Sequence, residues 1–208
     1  MISAAKSRFF TRWLARDADK RVRRTFGLVA TRGLERVRAA LETGPVLIVS
    51  NHTSWWDPIV SQLIGHRVLR SDGYALMDAK NLVRLPFFRK VGAFGVDLDD
   101  PADGARALRY AVKLLDRPGR LVWVFPQGRE APLVQRPLGF RPGSEAIARL
   151  ARRATVFPCA IRYAFGSEEL PVLHISFGAP IANGGAHEAA VTTELDRIDA
   201  GEIGRAHV

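Results

Sequence analysis

From Pro45 onward, short apolar runs alternate with stretches in which apolar residues return every third or fourth position. The run "PVLIVS" (45–50) is continuous, as expected of a strand covered on both faces. Apolar runs at 92–97, 120–126, 155–165 and 172–181 predict four further strands. Between them, 58 to about 64, 103–117, 144–154 and 187–201 read as helices. In 103–117 the residues Leu108, Ala111, Val112 and Leu115 share one face, Pro118 and Gly119 end the helix, and Ser144 is placed to cap the next one. Strands alternating with helices of this length predict an α/β fold: a single domain whose mixed, largely parallel sheet is flanked by helices. At 208 residues the chain can bury one substantial core.

Residues 1–42 differ from the rest and read as a basic amphipathic helical segment ahead of a domain at 43–208. Positions 1–40 hold eleven Lys or Arg against three acidic residues, in a chain whose formal net charge is +10. Val22, Phe26, Val29, Gly33, Val37 and Ala40 recur at helical spacing, so 22–40 is expected to dock an apolar stripe on the domain. Phe9, Phe10, Trp13 and Leu14 form an earlier aromatic face among arginines, the pattern of a helix lying on a membrane surface. Phosphates of nucleic acid would attract the same patch, but no recognition-helix, zinc or stacking-strand signature accompanies it, and no nucleic-acid partner is expected. No run approaches the roughly 20 apolar residues of a spanning helix, and Cys159 is the single cysteine. The expectation is a cytoplasmic protein, peripheral on the inner face of a membrane.

Chemistry in open α/β sheets gathers at the carboxyl ends of strands. Three such ends are polar here. After 45–50 comes "SNHTSWWDP", where Asp57 stands five residues beyond His52. In a continuous helix the two side chains would lie about 140° apart, so pairing requires a turn between them. Pro58 allows one, because the residue before proline avoids the helical region. Two readings fit: a general base oriented by a carboxylate, or an Asp-Pro pair that only caps a helix. After 92–97 comes "DLDDPADG", whose aspartates lack a calcium-loop pattern and are expected to solvate a loop and cap a helix. After 120–126 comes "QGREAP", with Gly128 and Arg129 in a turn. Trp55 and Trp56 are expected to line a channel or to pack, and His174 to face solvent from a strand. Lys80, Arg84, Arg89 and Lys90, among Leu82, Leu85, Phe87 and Phe88, suit a lipid entrance, a cofactor-phosphate contact or a solvated face. Cys159 has no companion that marks a nucleophile, and no Gly-x-Ser-x-Gly turn occurs.

Order and spacing add a resemblance. Asn51, His52 and Asp57, then "AKNLVRLPFFRKVGAFGVD" (79–97), "VFPQGRE" (124–130) and the region around Pro158 together resemble the four blocks of the lysophospholipid and 1-acylglycerol-3-phosphate acyltransferases, over about 45–181. The resemblance implies transfer of a fatty acyl group from acyl-CoA or acyl carrier protein to the hydroxyl of a lipid. It implies His52 as general base, Asp57 as its orienting carboxylate, and substrate contacts from Asn51, Gly92, Phe125, Pro126, Gln127, Gly128, Arg129 and Pro158. No metal and no cofactor beyond the thioester co-substrate is implied. Leu98 stands where that family carries a phosphate-contacting arginine, Gln127 replaces a glutamate, and arginine falls one place early at Arg129. These departures leave the acceptor open among lysophosphatidic acid, a lysophospholipid and another hydroxylated lipid. They also admit an inactive lipid- or membrane-binding protein on the same fold.

Overall fold

A computed structural model describes residues 1–182 and 184–202. Seven strands form one sheet: β1 (Leu28–Arg32), β2 (Val46–Ser50), β3 (Asp72–Asp78), β4 (Ala93–Val96), β5 (Arg120–Val124), β6 (Thr155–Ala164) and β7 (Val172–Phe177). Their order is β1-β7-β6-β2-β5-β3-β4, and every neighbouring pair is parallel except β6 with β7. The central strand β2 is buried at all five positions because both faces are covered. Val46 and Ile48 point to the same side as Leu121, Trp123, Phe157 and Ile161. Leu47 and Val49 point to the other, with Val122, Val124 and Val156. Each fully buried side chain of this kind contributes roughly 1.5–3 kcal/mol of hydrophobic stabilisation.

Helices α5 (Pro101–Leu114), α6 (Gly143–Leu150) and α7 (His187–Asp199) cover the second face through Leu114, Ile147, Val191 and Leu195. The first face is covered by α1 (Arg8–Thr25), α2 (Leu34–Thr43) and α3 (Asp57–Gln62), with a π-helical segment, Leu63–Val68, running on from α3. A short helix α4 (Ala79–Arg84) and a 3-10 helix, Pro86–Val91, join β3 to β4. The five predicted strands are present as β2, β4, β5, β6 and β7, each within a few residues of its expected bounds. Among the described residues no helix is long and apolar enough to cross a membrane.

Two local expectations need correction, and one strand carried no signal. Residues 1–42 are not wholly helical, since Leu28–Arg32 forms β1 and pairs in parallel with β7 from Leu28↔Val172 to Arg32↔Ser176. Five residues with a half-buried pattern fit an edge strand as well as a helical stripe, and the partner strand decides between them. β3 was equally unsignalled: six of its seven residues are only partly buried, so no alternation stands out. Ser144 does not cap α6. The helix begins after Pro142 with no side-chain cap, and the buried Ser144 hydroxyl instead meets His187 Nδ1 at 2.9 Å.

The N-terminal segment is stitched to the domain. Ile2 and Gly95 exchange backbone hydrogen bonds of 3.0 and 2.8 Å along the outer strand β4. Lys6 Nζ donates to Asp72 Oδ1 at 2.6 Å and to the Gly73 carbonyl at 2.8 Å. Helix α1 then buries Thr11, Ala15, Ala18 and Val22, spaced four, three and four apart, while Phe9 (82% exposed) and Trp13 (53%) face outward.

Candidate active site

The site is built on the carboxyl end of β2. Asn51 follows the strand and is fully buried, with Nδ2 donating to the Ile161 carbonyl and Oδ1 accepting from the Ile161 N–H, both at 2.8 Å. This clamp holds the end of β2 against β6, so the residue that follows leaves the sheet in a defined direction. The chain then turns, with Asp57 N–H donating to Ser54 O at 3.0 Å, and enters α3 with Pro58 in the first turn.

That turn brings Asp57 back to His52. The buried carboxylate accepts from His52 Nδ1 (2.7 Å), Thr53 N–H (2.7 Å) and Ser54 N–H (3.0 Å) through Oδ2, and from the Tyr163 hydroxyl (2.6 Å) through Oδ1. Both N–H groups lie before the helix. Asp57 therefore closes the turn that precedes α3 and is not its cap; the N-cap position is Trp56, without a side-chain bond. With the carboxylate accepting at Nδ1, the imidazole proton sits there and Nε2 carries the lone pair. Burial, then the neighbouring Asp57 charge, push the Tyr163 hydroxyl upward, so the phenol keeps its proton and acts as a donor.

The loop after β5 supports His52 from the other side. Gln127 Oε1 accepts from His52 N–H at 2.5 Å, and the His52 carbonyl accepts from Ala131 N–H at 2.9 Å. The Phe125 ring lies 4.7 Å from the imidazole, centroid to centroid. The Pro126 carbonyl accepts from Arg141 N–H at 3.0 Å, and Gly128 N–H donates to Phe125 O at 3.0 Å. Gly128 sits at φ +70°, where a Cβ would meet Leu98 Cδ1 at 3.0 Å.

His52 opens into a cavity of about 700 Å³. Its walls are mostly apolar: Phe10, Trp13 and Leu14 from α1, Ile59 from α3, Met77 from β3, and Leu85, Phe87 and Phe88 beside α4. Asp17 and Arg21, which pair at 2.6 Å, join Arg84 and Glu130 as its charged lining. Among the described residues no group of three or more His, Cys, Asp or Glu is placed to hold a metal ion. The Cys159 thiol is fully buried and pushed far up by that burial, so it offers no thiolate.

A protein-family model described as Acyltransferase matches residues 29–162, more than half of the chain. The chain belongs to the acyltransferase family. Its fold is similar to that in the crystal structure of the 1-acyl-sn-glycerophosphate (LPA) acyltransferase, PlsC, from Thermotoga maritima. The TM-score is 0.58 at 16% identity, over 90% of this chain and 76% of that one, a likeness of fold. No curated protein matches the sequence significantly.

Within this acyltransferase, the residues singled out from sequence fall into two groups. His52, Asp57, Phe125, Gln127 and Gly128 come together at the ends of β2 and β5. Asn51, Gly92 and Pro158 do not reach the cavity. Asn51 has its whole amide engaged by Ile161. Gly92 precedes β4, at the opposite end of the parallel strands, with φ +102° and the Gly73 carbonyl 2.5 Å from where a Cβ would stand. That close crossing is a backbone requirement. Pro158 is buried in the middle of β6 against Gly178. Pro126 is buried, and Arg129 is exposed without lining the cavity. Of the tryptophans, Trp55 lines the cavity at 56% exposure, while Trp56 packs edge-on against Phe26 at 5.3 Å. Asp100 caps α5, as the loop reading expected. Tyr163 was missed. Its position in a strand pattern carried no sign that its hydroxyl would meet a carboxylate 106 residues away.

Proposed function

We propose that this acyltransferase moves a fatty acyl group from acyl-CoA or acyl carrier protein to the hydroxyl of a lipid, with His52 as general base and Asp57 as its orienting carboxylate. The observation that carries this is the 2.7 Å His52–Asp57 contact in a ring that lines a large apolar cavity. In the step, Nε2 takes the proton of the acceptor hydroxyl as its oxygen bonds to the thioester carbonyl carbon. The tetrahedral intermediate then collapses, the C–S bond breaks, and the proton passes from the imidazolium to the departing thiolate. Asp57 keeps the imidazole in the competent tautomer and stabilises the imidazolium. No acyl-enzyme is needed, in keeping with the buried Cys159. The apolar walls suit a hydrocarbon chain, and the acceptor is lysophosphatidic acid, a lysophospholipid or another hydroxylated lipid.

We also propose that the protein works as a peripheral protein on the inner, cytoplasmic face of a membrane. Trp13, Trp55, Leu85 and Phe87 are exposed and line the same cavity, so an apolar rim surrounds the mouth through which a lipid would enter. Incubation of the purified protein with radiolabelled acyl-CoA and a panel of lysolipids and hydroxylated lipids tests both donor and acceptor. His52→Ala is expected to retain the fold by circular dichroism and to lose roughly 10²- to 10⁴-fold in rate. Turnover at the wild-type rate in that variant rules the mechanism out, and absence of any labelled acceptor with the native protein favours a lipid-binding role.

A further inference from the structure

Of the polar residues that line the cavity, Gln62 alone is buried, at 6% exposure. It lies on the face of α3 that also carries Pro58 and Ile59 to the cavity wall, four and three residues earlier. Its Oε1 is closed off from solvent and has no hydrogen-bond partner among the described residues. Buried amide groups are almost always paired, and an unpaired one is costly. The last side-chain torsion of glutamine is broad, so a modest rotation can present the amide oxygen to a ligand. The helix also changes winding immediately after this residue, from α to π, a transition found often at functional sites.

The cavity wall is mostly apolar, and Pro58 and Ile59 on the same face of α3 suit hydrocarbon, yet an unsubstituted chain leaves Oε1 unpaired. We propose that Gln62 recognises a fatty chain that carries a hydroxyl group near its reacting end, the hydroxyl donating to Oε1. Gln62 lies five residues beyond Asp57, about 7.5 Å along α3, a span of about six bonds of an extended alkyl chain from the carboxylate that holds His52. Gln62 is then a specificity-determining residue: a site built to hydrogen-bond a substrate oxygen rejects the analogue that lacks it. The substituted chain can belong to the acyl donor or to the lipid acceptor, since both carry alkyl chains to the same histidine. This inference rests on the acyl-transfer reading.

The test measures kcat/KM by thiol release in two arms. In one, acyl-CoA donors with a hydroxyl at carbon 3 or 5 are compared with the unsubstituted donor of equal length, using one plain acceptor. In the other, the donor is plain and the acceptor chain is hydroxylated or not. The native protein is expected to prefer the substituted chain in at least one arm by about ten- to a hundred-fold. Gln62→Met, which conserves shape without the amide, is expected to abolish that preference while retaining turnover of the plain chain. Absence of preference in the native protein in both arms overturns the proposal, as does a preference of equal size in Gln62→Met. If that variant does not fold, the native protein's preference is read against Gln62→Glu, whose carboxylate still accepts a hydrogen bond and is expected to keep it; loss of the preference there overturns the proposal too. Failure of the native protein to release thiol with any donor instead sinks the acyl-transfer reading beneath it.

Discussion

Four donors converge on one buried carboxylate, and each has a separate origin: the His52 ring, two N–H groups of the turn that follows, and the Tyr163 hydroxyl from the far end of β6. The first three were within reach of local reasoning, because Pro58 sets the boundary that lets Asp57 fold back. The fourth was not. In the proposed mechanism Tyr163 is a positioning residue that acts through Asp57, so Tyr163→Phe is expected to lower kcat about tenfold with KM unchanged, the scale of one hydrogen bond to a charged group. An unchanged kcat, or a KM that moves with it, beside normal circular dichroism would contradict the role. Asn51 works by geometry alone. Asn51→Ala leaves both the N–H and the carbonyl of Ile161 unpaired, at roughly 1–3 kcal/mol each, and urea unfolding is expected to show a loss of that order.

Two elements meet tightly at the end of the sheet opposite the site. β4 begins directly after Gly92, whose positive φ and 2.5 Å approach to the Gly73 carbonyl leave no room for a side chain. Gly92→Ala is expected to destabilise by at least about 1–3 kcal/mol from backbone strain, with a lower urea midpoint and an intact order of substrate preference. Close by, His66 in the π-helical segment has Nδ1 3.3 Å from Ser71 O and Nε2 3.3 Å from Val91 O. Burial, and then the Lys6 charge, bring its pKa down to about 4 from an ordinary 6.5. The unfolded chain therefore binds a proton first as the pH falls. The stability linked to His66 is complete above about pH 6.5 and is lost between there and about pH 4, up to roughly 3 kcal/mol. Urea midpoints at pH 7 and 4.5 check this, and His66→Gln is expected to flatten the dependence.

At the scale of the molecule, one end of the sheet carries the histidine, the cavity and an apolar rim, while α1 lines the cavity through Phe10, Trp13, Leu14 and Arg21 and leaves its other arginines exposed. Phe9 and Trp13 are exposed on that helix, which is tied down at Thr11, Ala15, Ala18 and Val22. Phe9→Ser with Trp13→Ser is expected to weaken flotation with anionic vesicles by about tenfold or more, since each large apolar side chain buried is worth roughly 1.5–3 kcal/mol. Binding is expected to fall with added salt, as the arginines near an anionic surface are screened. Transfer in detergent is expected to persist in that double variant.

Sequence alone determined the central strands, because a run such as "VLIVS" that is apolar on both faces has no other stable place than the middle of a sheet. It also determined the basic character of the first forty residues and, through a proline at a helix boundary, allowed the His52–Asp57 contact without deciding it against a helix cap. Tertiary structure decided the rest. β1 is a strand only because β7 lies beside it. Tyr163 and Gln62 matter only because of what distant chain brings to them, a carboxylate in one case and an apolar cavity in the other. Gly92, Asn51 and Pro158 are held by packing and backbone pairing with distant chain and do not line the cavity. Local periodicity reports which face of an element is buried, but not which residue of another element is waiting there.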